Sequence, residues 1–109
     1  MLKNNLYYIL QNEQKVYTIR FDVSHPIFIG HFPERPIVPG ACLVRMAEEL
    51  AAEAYGHSIR FTSICNLRFN QPVTPNQEMN VAIKQTDEKT YSIQLLVCNS
   101  LCAQFTAIE

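Results

Sequence analysis

A histidine lies in a stretch of the chain that is rich in proline and leads into the strongest helical pattern of the sequence. His31 falls within residues 24–39, and the prolines of that stretch are Pro26, Pro33, Pro36 and Pro39. Each proline fixes its own φ and favours an extended residue before it, so the stretch predicts a stiff, shaped loop. An imidazole with a pKa near neutrality can take a proton from a carbon beside a carbonyl group. His31 is therefore the candidate acid–base residue; the alternative is a loop histidine bonded only to backbone.

The segment Gly40–Tyr55 is predicted to be the one long helix. Its apolar residues recur at helical spacing, and they are Leu43, Met46, Ala47, Leu50, Ala51 and Ala54. Pro39 suits the start of a helix and Gly56 suits its end. The first backbone N–H groups of a helix are unpaired and carry partial positive charge, so they stabilise a carbonyl oxygen that becomes negative during a reaction. Gly40 lies nine residues after His31, which predicts that both serve one site.

The rest of the sequence predicts strands. Their expected bounds are Leu6–Leu10, Val16–Val23, Ile59–Val73, Glu78–Gln85, Tyr91–Cys98 and Cys102–Ile108, with residues 24–39 as an extended loop. In the third of these strands, alternate residues from Phe61 to Phe69 are expected to form one apolar face. One long helix among antiparallel strands is typical of an α+β fold in which the helix packs on the sheet.

Composition narrows the class of protein. The chain has 109 residues, of which 48% are apolar and 17% charged, and we expect a single domain over residues 1–109. A net charge of −1 does not favour a nucleic-acid partner. No apolar run approaches the roughly 20 residues of a membrane span, and no signal peptide is evident, so we expect a cytoplasmic protein. The four cysteines lack the spacing of a metal site and are expected to be buried thiols, with no metal bound.

Two motifs carry a resemblance to a known family. The string Gly30-His31-Phe32-Pro33-x-x-Pro36-x-x-Pro39-Gly40 resembles the active-site motif of the hot-dog-fold 3-hydroxyacyl-[acyl-carrier-protein] dehydratases of bacterial fatty-acid synthesis. The segment Arg68-Phe69-Asn70-Gln71-Pro72-Val73-x-Pro75 is similar to the segment that follows the central helix in that family. The likeness extends from about Tyr17 to Phe105.

This resemblance implies a hot-dog fold, in which a long antiparallel sheet wraps one central helix, and a dimer with its active sites at the subunit interface. It implies removal of water from a 3-hydroxyacyl thioester to give the 2-enoyl thioester. The substrate would arrive on the phosphopantetheine of an acyl carrier protein, and no further cofactor is expected. The family histidine corresponds to His31. The residues expected to bind substrate are Phe32, Pro39, Gly40, Ala41 and Arg45.

One position departs from the family pattern. The family has a carboxylate fourteen residues after the histidine, and it helps to expel the hydroxyl group as water; here that position is Arg45. Arginine stays charged and is a poor general acid. Glu48 and Glu49 lie on the same side of the helix and are possible substitute carboxylates, or simple ion-pair partners of Arg45.

Several functions therefore stay open. The chain is predicted to be a dehydratase-like enzyme that relies on His31. Alternatively, it is a partner subunit whose site is completed by a second hot-dog chain that supplies the carboxylate, or a non-catalytic domain that binds acyl thioesters or carrier protein. A thioesterase function is a weaker alternative, since the Gly-His-Phe-Pro motif is not typical of those enzymes. The oligomer is accordingly expected to be a homodimer or a heterodimer.

Overall fold

The computed structural model describes residues 2–30 and 34–109. Within these ranges, two helices and six strands follow one another. In order they are β1 (Tyr7–Glu13), β2 (Val16–Phe21), α1 (Ile27–Gly30), α2 (Gly40–Tyr55), β3 (Ser63–Phe69), β4 (Met79–Asp87), β5 (Thr90–Val97) and β6 (Ser100–Ile108).

The long helix α2 has the bounds that the sequence predicts. Pro39 precedes it, and Gly56 ends it in the left-handed conformation at φ 75°, from which its N–H donates to the Ala52 carbonyl over 2.9 Å. The buried face consists of Leu43, Met46, Ala47, Leu50 and Ala51. The predicted apolar stripe is therefore confirmed as the face that enters the core.

All six strands form one antiparallel sheet with the order β1-β2-β4-β5-β6-β3. Inward side chains of the central strands make the core with α2; among them Val81, Ile93 and Leu95 are fully buried. One helix against one long antiparallel sheet is the α+β arrangement expected from the sequence, and it is confirmed. No helix in the described part of the chain is long and apolar enough to cross a membrane.

Strand β3 differs from its prediction. It is shorter than residues 59–73, it pairs only with β6, and its register shifts between Cys65 and Arg68, where Asn66 has φ 55°. Leu67 and Phe69 are half-exposed, so most of the predicted face lies outside the core of this chain, although Phe61, which precedes β3, packs against it. Alternation in an edge strand indicates only that one face is apolar and does not say what covers it.

Two smaller expectations are also wrong. The loop over residues 24–39 contains the one-turn helix α1, which begins directly after Pro26, because proline suits the residue at a helix start. The cysteines are not all buried: Cys102 is buried, but Cys65 and Cys98 are exposed. Cys98 and Asn99 form the β5–β6 turn, both with positive φ, and β6 begins directly after them at Ser100.

The Glu49 carboxylate binds the N-terminal segment of the chain to the middle of α2. Glu49 accepts hydrogen bonds from the Leu2 N–H at 2.8 Å, the Lys3 N–H at 3.0 Å and the Tyr7 hydroxyl at 3.0 Å. The Glu49 side chain is only 6% exposed. Burial acts to raise the pKa of Glu49, but these donors together outweigh it and hold the pKa below its usual value. The carboxylate thus docks the segment that leads into β1.

We expect the substitution Glu49→Gln to lower the free energy of unfolding by about 1–3 kcal/mol, because an amide NH₂ would face donors that need an acceptor. A folded-state pKa below the unfolded one contributes stability above the ordinary glutamate pKa of about 4.3, and this contribution is lost as pH falls through the folded value. Urea unfolding from pH 7 to pH 3 should therefore show the parent–variant difference shrinking in acid. Glu88→Gln, in an exposed turn, is the control. A difference that is constant across this range would contradict the assignment.

Candidate functional site

A cavity of about 320 Å³ opens where α2 begins. Its lining residues come from the loop before α2, from α2 itself and from the segment after β3; they are Ile37, Val38, Gly40, Leu43, Phe69, Asn70, Gln71, Pro72 and Val73. We call it the Gly40 cavity. It brings the two family-like motifs into one place, although 27 residues separate them in the sequence. Apolar side chains supply most of its wall.

The two walls of the Gly40 cavity are joined by backbone hydrogen bonds. The Val38 N–H donates to the Val73 carbonyl over 2.8 Å, and both residues are buried. On the other side, the N–H groups of Asn70 and Gln71 donate to the Cys102 carbonyl of β6 at 2.7 and 3.3 Å. The Gln71 side chain also reaches the Cys102 Sγ at 3.1 Å. The segment after β3 is therefore held in place between β6 and the loop that feeds α2.

The N-terminus of α2 supplies polar groups at this cavity. Pro39 precedes the helix with φ −59° and ψ 141°, and no side chain within residues 2–30 or 34–109 caps the helix start. The N–H groups of Cys42 and Leu43 donate to the Pro39 carbonyl, whereas the Gly40 and Ala41 N–H groups have no acceptor among the described residues. Two donors at a helix N-terminus that have no acceptor in the described part of the chain, one of them on a residue that lines the cavity, suit an oxygen that carries negative charge.

Close packing explains why residue 40 is glycine. A Cβ built on Gly40 would lie 2.9 Å from the Cζ atom of Phe69, inside van der Waals contact. The Phe69 ring thus lies directly over the first residue of α2. Half of its surface is exposed, so the ring separates the helix N-terminus from solvent at this point. The sequence motif identifies Gly40 but not this contact, since a strand residue 29 positions away carries no local signal of it.

The structure separates the predicted site residues into groups. His31 and Phe32 lie outside the described residues. Gly40 lines the cavity and Pro39 directly precedes it, whereas Ala41 is exposed on the first turn of α2 and is not part of the lining. Arg45, Glu48 and Glu49 do not line the Gly40 cavity; they border a smaller groove beside the segment 58–60.

Arg45 lies between two carboxylates on α2. Its Nη1 is 3.4 Å from Oε1 of Glu48, and its Nε donates to Oε2 of Glu49 over 3.4 Å. Glu48 also accepts the Phe61 N–H at 2.8 Å, which fixes the chain as it leaves α2 towards β3. Both carboxylates therefore already have donors within this chain. The arrangement has the geometry of the helical ion pairs that the spacing predicts.

No group of three or more metal-ligating side chains occurs among the residues that the structure describes. The geometry accordingly offers an apolar cavity with backbone donors.

Comparison with solved structures identifies the fold. The dehydratase heterocomplex ApeI:P from Xenorhabdus doucetiae matches with a TM-score of 0.74 at 21% identity, covering 90% of this chain and 89% of that one. The Escherichia coli PaaI protein from the phenylacetic acid degradation operon matches with a TM-score of 0.61 at 15% identity, covering 93% and 79%. The chain therefore has the hot-dog fold.

Comparison of sequences identifies the family. The family model described as ApeI-like, ApeI dehydratase, matches residues 9–105. The chain belongs to this family of hot-dog dehydratases, related to FabZ, which confirms the resemblance seen in the two motifs.

Curated relatives include two dehydratases named 3-hydroxyacyl-[acyl-carrier-protein] dehydratase FabZ. The protein of Tolumonas auensis is 32% identical over 100 residues, which are 82% of this chain and 66% of the relative. The protein of Paramagnetospirillum magneticum is 30% identical over 84 residues, which are 69% of this chain and 52% of the relative. The chain thus spans between half and two thirds of the length of these relatives.

The contact between Gly40 and Phe69 generates a double-mutant prediction. Alanine is the better helix former by about 0.5–1 kcal/mol, but in the parent a methyl group at position 40 must displace the Phe69 ring. Gly40→Ala should therefore fail to stabilise the parent, and it should stabilise the Phe69→Ala variant by that amount. Thermal and urea unfolding of the four proteins measure the coupling. Equal effects of Gly40→Ala in both backgrounds would show that the ring does not occupy this space.

Proposed function

We propose that the chain is a subunit of a dehydratase that acts on 3-hydroxyacyl thioesters carried on the phosphopantetheine of an acyl carrier protein. The product would be the 2-enoyl thioester and water. The observation that carries this proposal is the Gly40 cavity, where an uncapped helix N-terminus meets an apolar wall. Membership of the ApeI-like dehydratase family and the names of the FabZ relatives support the reaction and the carrier.

In this proposal the thioester carbonyl binds at the start of α2. Abstraction of a proton from the α-carbon places negative charge on the carbonyl oxygen, and the N–H of Gly40 donates to it. His31 takes that proton. The bond between the β-carbon and the hydroxyl group then breaks, and the departing hydroxide takes a proton to leave as water. Preorganised donors at such an oxygen typically contribute about 3–4 kcal/mol to lowering the barrier.

Arg45 affects the step in which the leaving hydroxyl group receives its proton. Arginine keeps its charge at every working pH, so it does not replace an acid. Glu48 and Glu49 are already ion-paired with Arg45 and accept hydrogen bonds from backbone N–H groups, and Glu49 holds the N-terminal segment. We propose that both are structural here. In an enzyme made of this chain alone, His31 itself returns the proton to the hydroxyl group, directly or through water.

We further propose that the working unit is a dimer. Strand β3 is an edge strand with one hydrogen-bonded neighbour, and it exposes 44% of Leu67 and 50% of Phe69. An exposed apolar edge of this kind needs a cover, and a second hot-dog chain paired along β3 would supply one. Phe69 belongs both to this edge and to the Gly40 cavity, so the partner would lie next to the site.

A second candidate is a heterodimer in which another hot-dog chain supplies the carboxylate. The presence of arginine at position 45, where the family has a carboxylate, favours the heterodimer. The structural match to a dehydratase heterocomplex favours it too. In that assembly this chain supplies His31 and Gly40 to one site, and Arg45 borders the other.

His31→Ala should abolish formation of the 2-enoyl product from a 3-hydroxyacyl carrier-protein thioester. The free energy of unfolding should stay within about 1 kcal/mol of the parent, because the proposed role of this histidine is in the reaction and not in the fold. Product is measured by mass spectrometry of the carrier protein. His57→Ala is the matched control, because His57 is half-exposed and pairs with Glu109, away from the Gly40 cavity. Full activity in His31→Ala would remove this residue from the mechanism, and a large loss of stability would favour a structural role.

Arg45→Glu separates the two candidates. The variant restores the family's carboxylate but places it three and four residues from Glu48 and Glu49, so the free energy of unfolding should fall by about 0.5–1 kcal/mol. If the homodimer lacks only the acid, Arg45→Glu should gain dehydratase activity. That gain would favour the heterodimer, in which a second chain supplies the acid. If the parent is a competent enzyme built around Arg45, activity should stay equal or fall. Arg45→Gln is the control, since it removes the cation without adding an acid; an equal gain in both variants would show that the cation, not a missing acid, limits the rate.

A further inference from the structure

A second concavity lies at the opposite end of α2 from the Gly40 cavity. It has a volume of about 570 Å³ and lies between the C-terminal part of α2 and the β1–β2 hairpin, and we call it the Tyr17 groove. The residues that matter for its chemistry are Lys3, Asn4, Gln14, Lys15, Tyr17 and Glu53. Glu53 is thirteen residues along α2 from Gly40, which separates the two concavities by about 20 Å. The proposed dehydration does not use the Tyr17 groove.

A tyrosine hydroxyl without a partner lies in the wall of this groove. Tyr17 is 1% exposed, and its hydroxyl forms no hydrogen bond with any described residue. No fully buried side-chain oxygen among the described residues lacks a partner, so the Tyr17 hydroxyl must be the atom that reaches the groove. The other two fully buried tyrosines differ, because the hydroxyl of Tyr7 donates to Glu49 and that of Tyr91 to Glu109. The Tyr17 side chain is thus buried while its hydroxyl opens onto the groove, where the oxygen of a ligand can accept a hydrogen bond from it.

Unfavourable backbone conformations cluster around the same groove. Among the described non-glycine residues with positive φ, three line it: Asn4 at 62°, Gln14 at 51° and Lys15 at 65°. Gln14 and Lys15 form the β1–β2 turn, where two positive φ values normally select Asn-Gly. This turn carries two long polar side chains instead. The Lys15 carbonyl accepts the Ile83 N–H over 3.1 Å, which holds the turn against β4.

The charges of the groove leave one cation uncompensated. Lys3 and Glu53 neutralise each other, with Nζ 2.8 Å from Oε1. Lys15 has no carboxylate within ion-pair distance among the described residues, and its Nζ lies 5.2 Å from the centre of the Tyr55 ring. The ammonium group is therefore held by an aromatic face. An uncompensated cation and a free hydroxyl donor in one concavity match an oxyanion.

We propose that the Tyr17 groove binds a small molecule through an oxyanion group, a phosphate or a carboxylate. The Tyr17 hydroxyl and the Lys15 ammonium donate to its oxygens. Burial, followed by the nearby charge of Glu53, raises the pKa of Tyr17, so the hydroxyl keeps its proton and serves as a donor at neutral pH. The site is independent of the proposed reaction at the Gly40 cavity.

The test is an NMR titration of the full chain, following backbone amides with inorganic phosphate and, separately, with acetate. Sodium chloride at equal ionic strength is the reference. Either anion should shift the amides of Asn4 and residues 12–15 beyond the chloride effect, and the anion that does so identifies the source of the oxyanion. Tyr17→Phe and Lys15→Gln should each weaken binding about tenfold, the size of one hydrogen bond to a charged group.

Matched variants distinguish a binding role from a structural one. Tyr17→Phe should leave the melting temperature unchanged, because its hydroxyl has no partner, whereas Tyr7→Phe should lower it and leave anion binding intact. Lys84→Gln, an exposed strand residue, controls for the loss of one positive charge. Shifts no larger than those with chloride, or binding unchanged in both groove variants, would overturn the proposal. If Tyr17→Phe proves unfolded, its hydroxyl is structural and the proposal fails.

Discussion

Burial of one face of α2 is the constraint on which the rest of this structure depends. The face is narrow in its middle, where Ala47 and Ala51 are fully buried, and small side chains let a sheet approach the helix closely. One six-stranded sheet covers this helix of sixteen residues. The sheet covers the middle of α2, and its N-terminal end is covered instead by the loop before it and the segment after β3. The Gly40 cavity lies where these two pieces of chain meet.

The polar face of α2 is tied to the fold by a different means. Glu49 docks the first residues of the chain, Glu48 holds the chain where it leaves the helix, and Arg45 bridges both carboxylates. A third carboxylate at position 45 would repel its two neighbours. The departure from the family pattern is therefore consistent with its surroundings, because arginine at this position compensates a charge that the fold already needs.

Sequence patterns predicted most of the fold because the helical stripe and the alternating strands each have a clear period. They failed at β3, where alternation described an apolar face that this chain does not bury. For the site, the motif around His31 and Gly40 predicted the family and one wall of the cavity. The opposite wall, formed by the segment after β3, was identified only through the resemblance of that segment to the family. The ring of Phe69 over Gly40 and the anchoring of Gln71 on Cys102 depend on how β3 pairs with β6, which no local pattern encodes.

The pairing of β3 with β6 also sets an order of events. Ser63 lies opposite Ile108, and the segment that closes the Gly40 cavity is held by the Cys102 carbonyl. A chain emerging from the ribosome can form α2 early, since helices need only local contacts, but its third strand stays without a neighbour until the sixth has been made. Pairings over such sequence distances are typical of domains that fold in milliseconds to seconds. The segment after β3 therefore has no anchor on the sheet until β6 has formed, and because Cys102, Ala103, Phe105 and Ala107 of β6 are buried in the core, loss of that strand would open the cavity and disturb the core together.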